Sequence, residues 1–185
     1  MTATIRLEKV EDLIEARKRF WLFEEKLPEL ITNLKREGRS VNEAGVVMIS
    51  AAFQSFVEDV FLECSFKLFG RDLVGLELKK YRKTWSRWGN PNSENIILLF
   101  RRLDIDDVFS GLNIQGIERE DFIKQLNALN SVRNSIAHGN PPTHNGRPIA
   151  VNLSRLEKWK VLIDRASRAF RFHALHSSGL GMSAK

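Results

Sequence analysis

A single cysteine, Cys64, stands among 185 residues. It has no partner for an internal disulfide, and a cysteine-built zinc site is excluded with it. Its apolar surroundings mark it as a small buried hydrophobe. Long apolar runs are also missing. The longest, Ile96 to Phe100, falls far short of the roughly 20 residues that cross a bilayer. Thr2 to Lys26 is amphipathic and charged throughout, so it lacks the apolar centre of a secretory signal. These absences lead us to expect a cytoplasmic chain with no membrane partner. No glycine loop follows a strand pattern, which leaves dinucleotide and P-loop chemistry unsupported. No serine sits in a nucleophile elbow. The four histidines are His138, His144, His173 and His176. No pair of them combines metal-ligand spacing with a supporting carboxylate, so neither a metal nor another cofactor is expected.

What is present suits a folded, basic domain. The chain is 43% hydrophobic and 28% charged, enough to bury a core and remain in solution. Its 29 Lys and Arg exceed its 23 Asp and Glu, a net charge of +6. A polyanion is a reasonable partner for such a chain. Arg outnumbers Lys, 17 to 12, and the planar guanidinium grips phosphate through two oxygens at once.

Apolar residues recur at spacings of three and four almost everywhere, so the expected fold is all-α and a single domain. Leu7, Val10, Leu13, Ile14, Arg17, Phe20, Trp21 and Glu24 follow one mostly apolar stripe, after which Pro28 kinks or restarts the helix. Gly38 to Val41 reads as a turn, with Asn42 and Glu43 starting the next helix. Gly45 to Phe69 is apolar nearly all round, the pattern of a central helix. Val46, Phe53, Val57, Val60 and Cys64 lie on one side of it, and Met48, Leu62, Phe66 and Phe69 on the other. Glu94 to Arg102 forms a short helix capped by Ser93, and Asp104 to Ser110 adds a turn. A longer helix from about Glu118 to Ala137 ends at Gly139. Asn140 to Pro148 is a loop. Leu153 to Leu175 is the final helix, burying Leu156, Trp159, Ile163, Ala166 and Phe170. The expected layout is an N-terminal helical segment (1–40) packed on a helical domain (41–176), with a frayed tail (177–185).

Two segments stand out chemically. Lys79 to Trp88 carries Lys79, Lys80, Arg82, Lys83 and Arg87 with no acid. Interleaved with Tyr81, Trp85 and Trp88, these cations could bind RNA through phosphate contacts and base stacking. The aromatics also share one helical face, which suits a core equally well. The second segment is Arg133-Asn134-Ser135-Ile136-Ala137-His138-Gly139. On a helical wheel Arg133 falls in the middle of the apolar face of Phe122, Ile123, Leu126, Leu129, Ile136 and Ala137, where a charge must be satisfied. Glu58 and Glu63 are candidate partners. His138 lies about 140° from Arg133 on an unbroken helix. The two can cooperate only if the helix ends there or a second copy crosses it. Asn134 precedes His138 by four residues and can orient the imidazole.

This second segment resembles the HEPN superfamily, whose ribonucleases carry an arginine, four to six residues, then a histidine. The same spacing recurs at Arg168/His173 and Arg171/His176, where an arginine-rich helix produces it by chance. At Arg133 it comes with a following Asn and a closing Ile-Ala-His-Gly. Gly89-Asn90-Pro91-Asn92-Ser93-Glu94-Asn95-Ile96, followed by Leu99-Phe100, is similar to the RiboL-PSP-HEPN branch. The likeness covers Val41 to Leu175. Some HEPN toxins have a tyrosine two residues after the histidine, which a nucleotidyltransferase antitoxin adenylylates. Here that position is Asn140, and the upstream Glu and Lys of that subgroup are Ala128 and Val132, so silencing by that route is not implied.

The resemblance implies a HEPN-like bundle of about five to seven helices. It implies a homodimer with its composite site at the interface, and metal-independent endoribonuclease activity in a toxin or defence setting. His138 is then the general acid or base, Arg133 the phosphate ligand and Asn134 the residue that positions His138. An antitoxin or regulatory protein is a possible partner. Two alternatives remain: a non-catalytic HEPN module binding RNA, nucleotide or a partner protein, and a helical scaffold in which Arg133 is a buried ion-pair residue.

Overall fold

The three-and-four spacing folds as helix throughout. The computed structural model describes residues 2–26 and 31–180. Among these residues six α-helices follow in chain order: α1 (Glu8–Lys26), α2 (Ile31–Phe69), α3 (Gly75–Trp85), α4 (Ser93–Phe100), α5 (Arg119–Ala137) and α6 (Leu153–Leu180). A 3-10 turn, Arg101–Leu103, extends α4. Pro28 lies outside the described residues.

α2 is the axis of the bundle, with α1, α4, α5 and α6 packed around it. Val46, Ile49, Phe53, Val57, Val60, Phe61 and Cys64 are fully buried, as a helix apolar on several sides requires. The stretch Glu37–Phe69 is long and apolar enough to cross a membrane by length and composition. Its neighbours in the bundle account for that apolarity. Phe100 links α2 to α6: its ring meets Phe61 at 5.7 Å and Phe170 at 5.6 Å, both edge-on. Such pairs add about 0.5–1.5 kcal/mol beyond simple burial. The expected stripe of α6 is buried from Leu156 to Phe170.

Three local expectations are corrected. The turn at Gly38–Val41 is absent, and α2 runs through it unbroken. Gly38 serves close packing instead: a Cβ there would stand 2.6 Å from Arg17 Cζ. Helix α4 is capped by Asn92 rather than Ser93, its side chain accepting from Asn95 N at 2.8 Å. α6 continues past Leu175 to Leu180, because Ala174 and Ser178 still face the interior and sustain another turn. Residues 181–185 lie outside the described set.

One element was read only as loop. Thr143–His144 and Arg147–Pro148 pair as a small antiparallel hairpin. Asn145 and Gly146 both take positive φ, 51° and 72°, which matches the type I′ turn that an Asn-Gly pair favours.

Candidate functional site

Helix α5 presents three kinds of surface. Its apolar face, Phe122, Leu126, Leu129 and Val132, is buried in the core. A serine face meets the hairpin: Ser131 Oγ donates to Thr143 O at 2.8 Å, and Ser135 Oγ lies 3.3 Å from Thr143 Oγ1. The third face carries Asn127, Asn130 and Asn134, spaced three and four apart and so stacked along one side of the helix.

The three asparagines hold the segment 90–93 in reverse order along the helix. Asn127 Oδ1 accepts from Ser93 N at 3.0 Å. Asn130 Nδ2 donates to Pro91 O at 2.9 Å. Asn134 Oδ1 accepts from Asn90 Nδ2 at 2.8 Å. Asn130 is almost fully buried and also accepts from Ser50 Oγ of α2 at 3.2 Å. Asn95 Nδ2 closes the loop on itself through Asn90 O at 2.9 Å.

Arg133 sits at the end of this ladder. Its Nη1 donates to Asn90 Oδ1 at 3.0 Å and to Asn134 Oδ1 at 3.1 Å. With the Asn90–Asn134 bond these contacts close a triangle of two amides and a guanidinium. The residue is half-buried at the margin of the apolar face rather than in its middle. The expected carboxylate partners are elsewhere. Glu58 accepts from Trp88 Nε1 at 3.0 Å and from Gln54 at 3.3 Å. Glu63 accepts from both Nε and Nη2 of Arg171. Among the described residues no carboxylate pairs with Arg133, so two neutral oxygens receive its protons and its charge is not cancelled.

His138 follows directly. Gly139, at φ +69°, ends α5. Asn140 N bonds Ser135 O at 2.8 Å and Gly139 N bonds Ile136 O at 3.0 Å, the paired pattern of a Schellman cap. His138 is the capping residue and is exposed. Among the described residues its imidazole makes no hydrogen bond. Asn134 reaches it only through the main chain, His138 N to Asn134 O at 3.1 Å. The side chain of Asn134 therefore positions Arg133, not the histidine as expected. Arg133 is thus held against the 90 loop, and His138 is exposed at the helix end.

The other sequence candidates divide. Lys79, Lys80, Arg82, Lys83 and Arg87 are all exposed, but Trp85 and Trp88 are buried. Tyr81 is half-buried, its hydroxyl 2.9 Å from Ser65 Oγ. The two tryptophans belong to the core and cannot stack on bases. The two other Arg/His spacings are structural: Arg168 pairs with Asp164, and Arg171 with Glu63. His173 is partly buried, and that burial lowers its pKa. Among the described residues no group of three or more His, Cys, Asp or Glu side chains could hold a metal ion.

Sequence reasoning missed Asn90 and the asparagine ladder. The helical spacing of Asn127, Asn130 and Asn134 was a visible signal. Their partners were not, since Asn90 and Arg133 lie 43 residues apart.

The bundle, with its motif at the capped end of α5, defines a HEPN-type helical domain. The family model for RiboL-PSP-HEPN matches residues 22–169, and the chain belongs to that family. No curated protein and no solved structure matches the chain.

Proposed function

We propose that the chain is a metal-independent endoribonuclease of the HEPN type. The observation that carries this reading is the state of Arg133: a guanidinium held by the amides of Asn90 and Asn134, with no acid among the described residues to cancel its charge. A group so placed is oriented yet electrostatically available to a phosphodiester. His138, exposed at the end of the same helix, supplies the proton transfer that RNA cleavage needs.

The substrate brings its own nucleophile. A base removes the proton of the 2′-hydroxyl, the 2′-oxygen bonds to phosphorus, and the P–O5′ bond breaks as an acid protonates the leaving oxygen. His138 takes one of these proton roles and Arg133 offsets the charge gathering on the phosphorane. A homodimer that brings His138 of one copy towards Arg133 of the other completes the site. The products carry a 2′,3′-cyclic phosphate and a 5′-hydroxyl. The cytoplasmic setting is that of a toxin or defence effector, restrained by an antitoxin or regulatory protein.

The test is incubation with total RNA in EDTA, comparing wild type, His138→Ala and Arg133→Met, with end groups determined on any product. Wild-type cleavage leaving 5′-hydroxyl ends, lost in both variants, is expected. Neither variant should lose the fold, because His138 is exposed and Arg133 has no ion pair among the described residues to orphan. Products with 5′-phosphate ends, or a strict magnesium requirement, would refute the mechanism. The exposed imidazole of His138, which makes no hydrogen bond among the described residues, favours a second reading, a non-catalytic module that binds RNA, nucleotide or a partner protein. Unimpaired RNA binding with no cleavage by any form would select it.

A further inference from the structure

A cavity of about 550 Å³ opens between α5, the hairpin and the start of α6. Lys124 enters it from α5, His144 from the hairpin, and Arg155 and Lys158 from α6, while Trp159 and Ala128 contribute apolar wall. Among the described residues no Asp or Glu lines it. Some surface cations elsewhere are neutralised. Lys18, Arg71, Arg119, Lys160, Arg168 and Arg171 each meet a carboxylate. Among the described residues none pairs with Lys124, Arg155 or Lys158. Three like charges gathered around one cavity repel each other, and an anion in their midst relieves that repulsion.

The anion this cluster fits is a phosphate. Arg155 lies over the Trp159 ring, its Cζ 5.9 Å from the centroid. This contact helps to hold in place a guanidinium, a group that can bind phosphate oxygens in pairs. Lys124 and Lys158 are exposed and add mobile point charges. The location suggests the source. The cavity shares Ile149 and Asn152 with a second one, of about 800 Å³, that reaches Gly139 and Asn140 beside His138. A strand crossing the 149–152 segment can occupy both.

We propose that the cavity is a phosphate-binding subsite for single-stranded RNA, with Lys124, Arg155 and Lys158 as its cations. The assignment rests on the ribonuclease reading above. It places a phosphate of the same strand away from the scissile bond.

Equilibrium binding of a short fluorescein-labelled single-stranded RNA to the His138→Ala chain provides the test. Lys124→Gln/Lys158→Gln in that background should raise Kd roughly tenfold, the loss of about one charge-assisted contact. It should also flatten the dependence of log Kd on log salt by about one unit. Lys9→Gln/Arg19→Gln on α1 removes the same charge elsewhere and should change Kd by less than about twofold. Thermal melts confirm the fold, and Lys158→Gln alone replaces the pair if the pair melts early. Undiminished binding by the cavity variant, an equal loss in the α1 variant, or no RNA binding by the parent chain overturns the proposal. Displacement of the RNA by micromolar AMP would assign the cavity to a free nucleotide and overturn it as well. Because the readout is binding by a cleavage-inactive chain, a wild type that cuts no RNA would refute the catalytic reading and leave this result standing.

Discussion

Replacing Asn130 with alanine removes the central rung of the ladder that holds the 90 loop to α5. The side chain is 2% exposed and makes three hydrogen bonds: from Nδ2 to Pro91 O and Leu126 O, and to Oδ1 from Ser50 Oγ. These losses are unequal. Leu126 O keeps its main-chain helical bond. Ser50 can turn its hydroxyl to a carbonyl of its own helix, a partial relief. The buried Pro91 carbonyl has no such escape and bears a desolvation penalty of roughly 1–3 kcal/mol. With about 1 kcal/mol for the Ser50 bond, the substitution should destabilise the chain by roughly 2–4 kcal/mol, a large share of the 5–15 typical of a domain. At about 2–4 °C per kcal/mol for this size, the melting midpoint should fall by roughly 4–16 °C. Urea unfolding of wild type, Asn130→Ala, Ser50→Ala and the double variant would measure both the loss and the coupling. The double variant should fall short of additivity by roughly 0.5–1.5 kcal/mol. A loss below about 0.5 kcal/mol for Asn130→Ala would show that the loop is held by other means, and the account of how Arg133 is positioned would fall with it.

Two further outcomes follow from the site and its surroundings. Gly139→Ala should destabilise by about 1 kcal/mol in chemical unfolding, since φ is +69° and no atom crowds a Cβ there; Gly139→Asn should recover most of that loss, and identical stabilities would argue against the cap. Burial holds the pKa of His173 below its ordinary 6.5, so between the two values the unfolded chain binds more protons than the folded one. Stability should therefore fall as pH drops through about 6.5, and His173→Gln should reduce the difference between melting midpoints at neutral and mildly acidic pH.

Chain-local properties determined much of this protein. Spacing alone identified α2 as the central helix and the buried stripe of α6, because a helix exposes its periodicity in any context. Gly139 marked the end of α5 through the same logic, since a left-handed cap is a property of one residue and its neighbours. The motif from Arg133 to His138 and the family it indicates were legible for that reason. Asn145-Gly146 was equally legible as a hairpin turn and was passed over.

The tertiary structure decided what depends on which distant groups meet. Trp85 and Trp88 could have faced either solvent or core, and only the packing of α3 and the loop after it against α2 sent them inward. Gly38 looked like a turn because its role, making room for Arg17, involves another helix. Most consequentially, Arg133 seemed to need Glu58 or Glu63, whose bonds instead go to Trp88 and to Arg171. A helical wheel shows which way a side chain points but not what stands opposite it. Here an asparagine 43 residues away leaves the guanidinium charge open where a glutamate would have closed it.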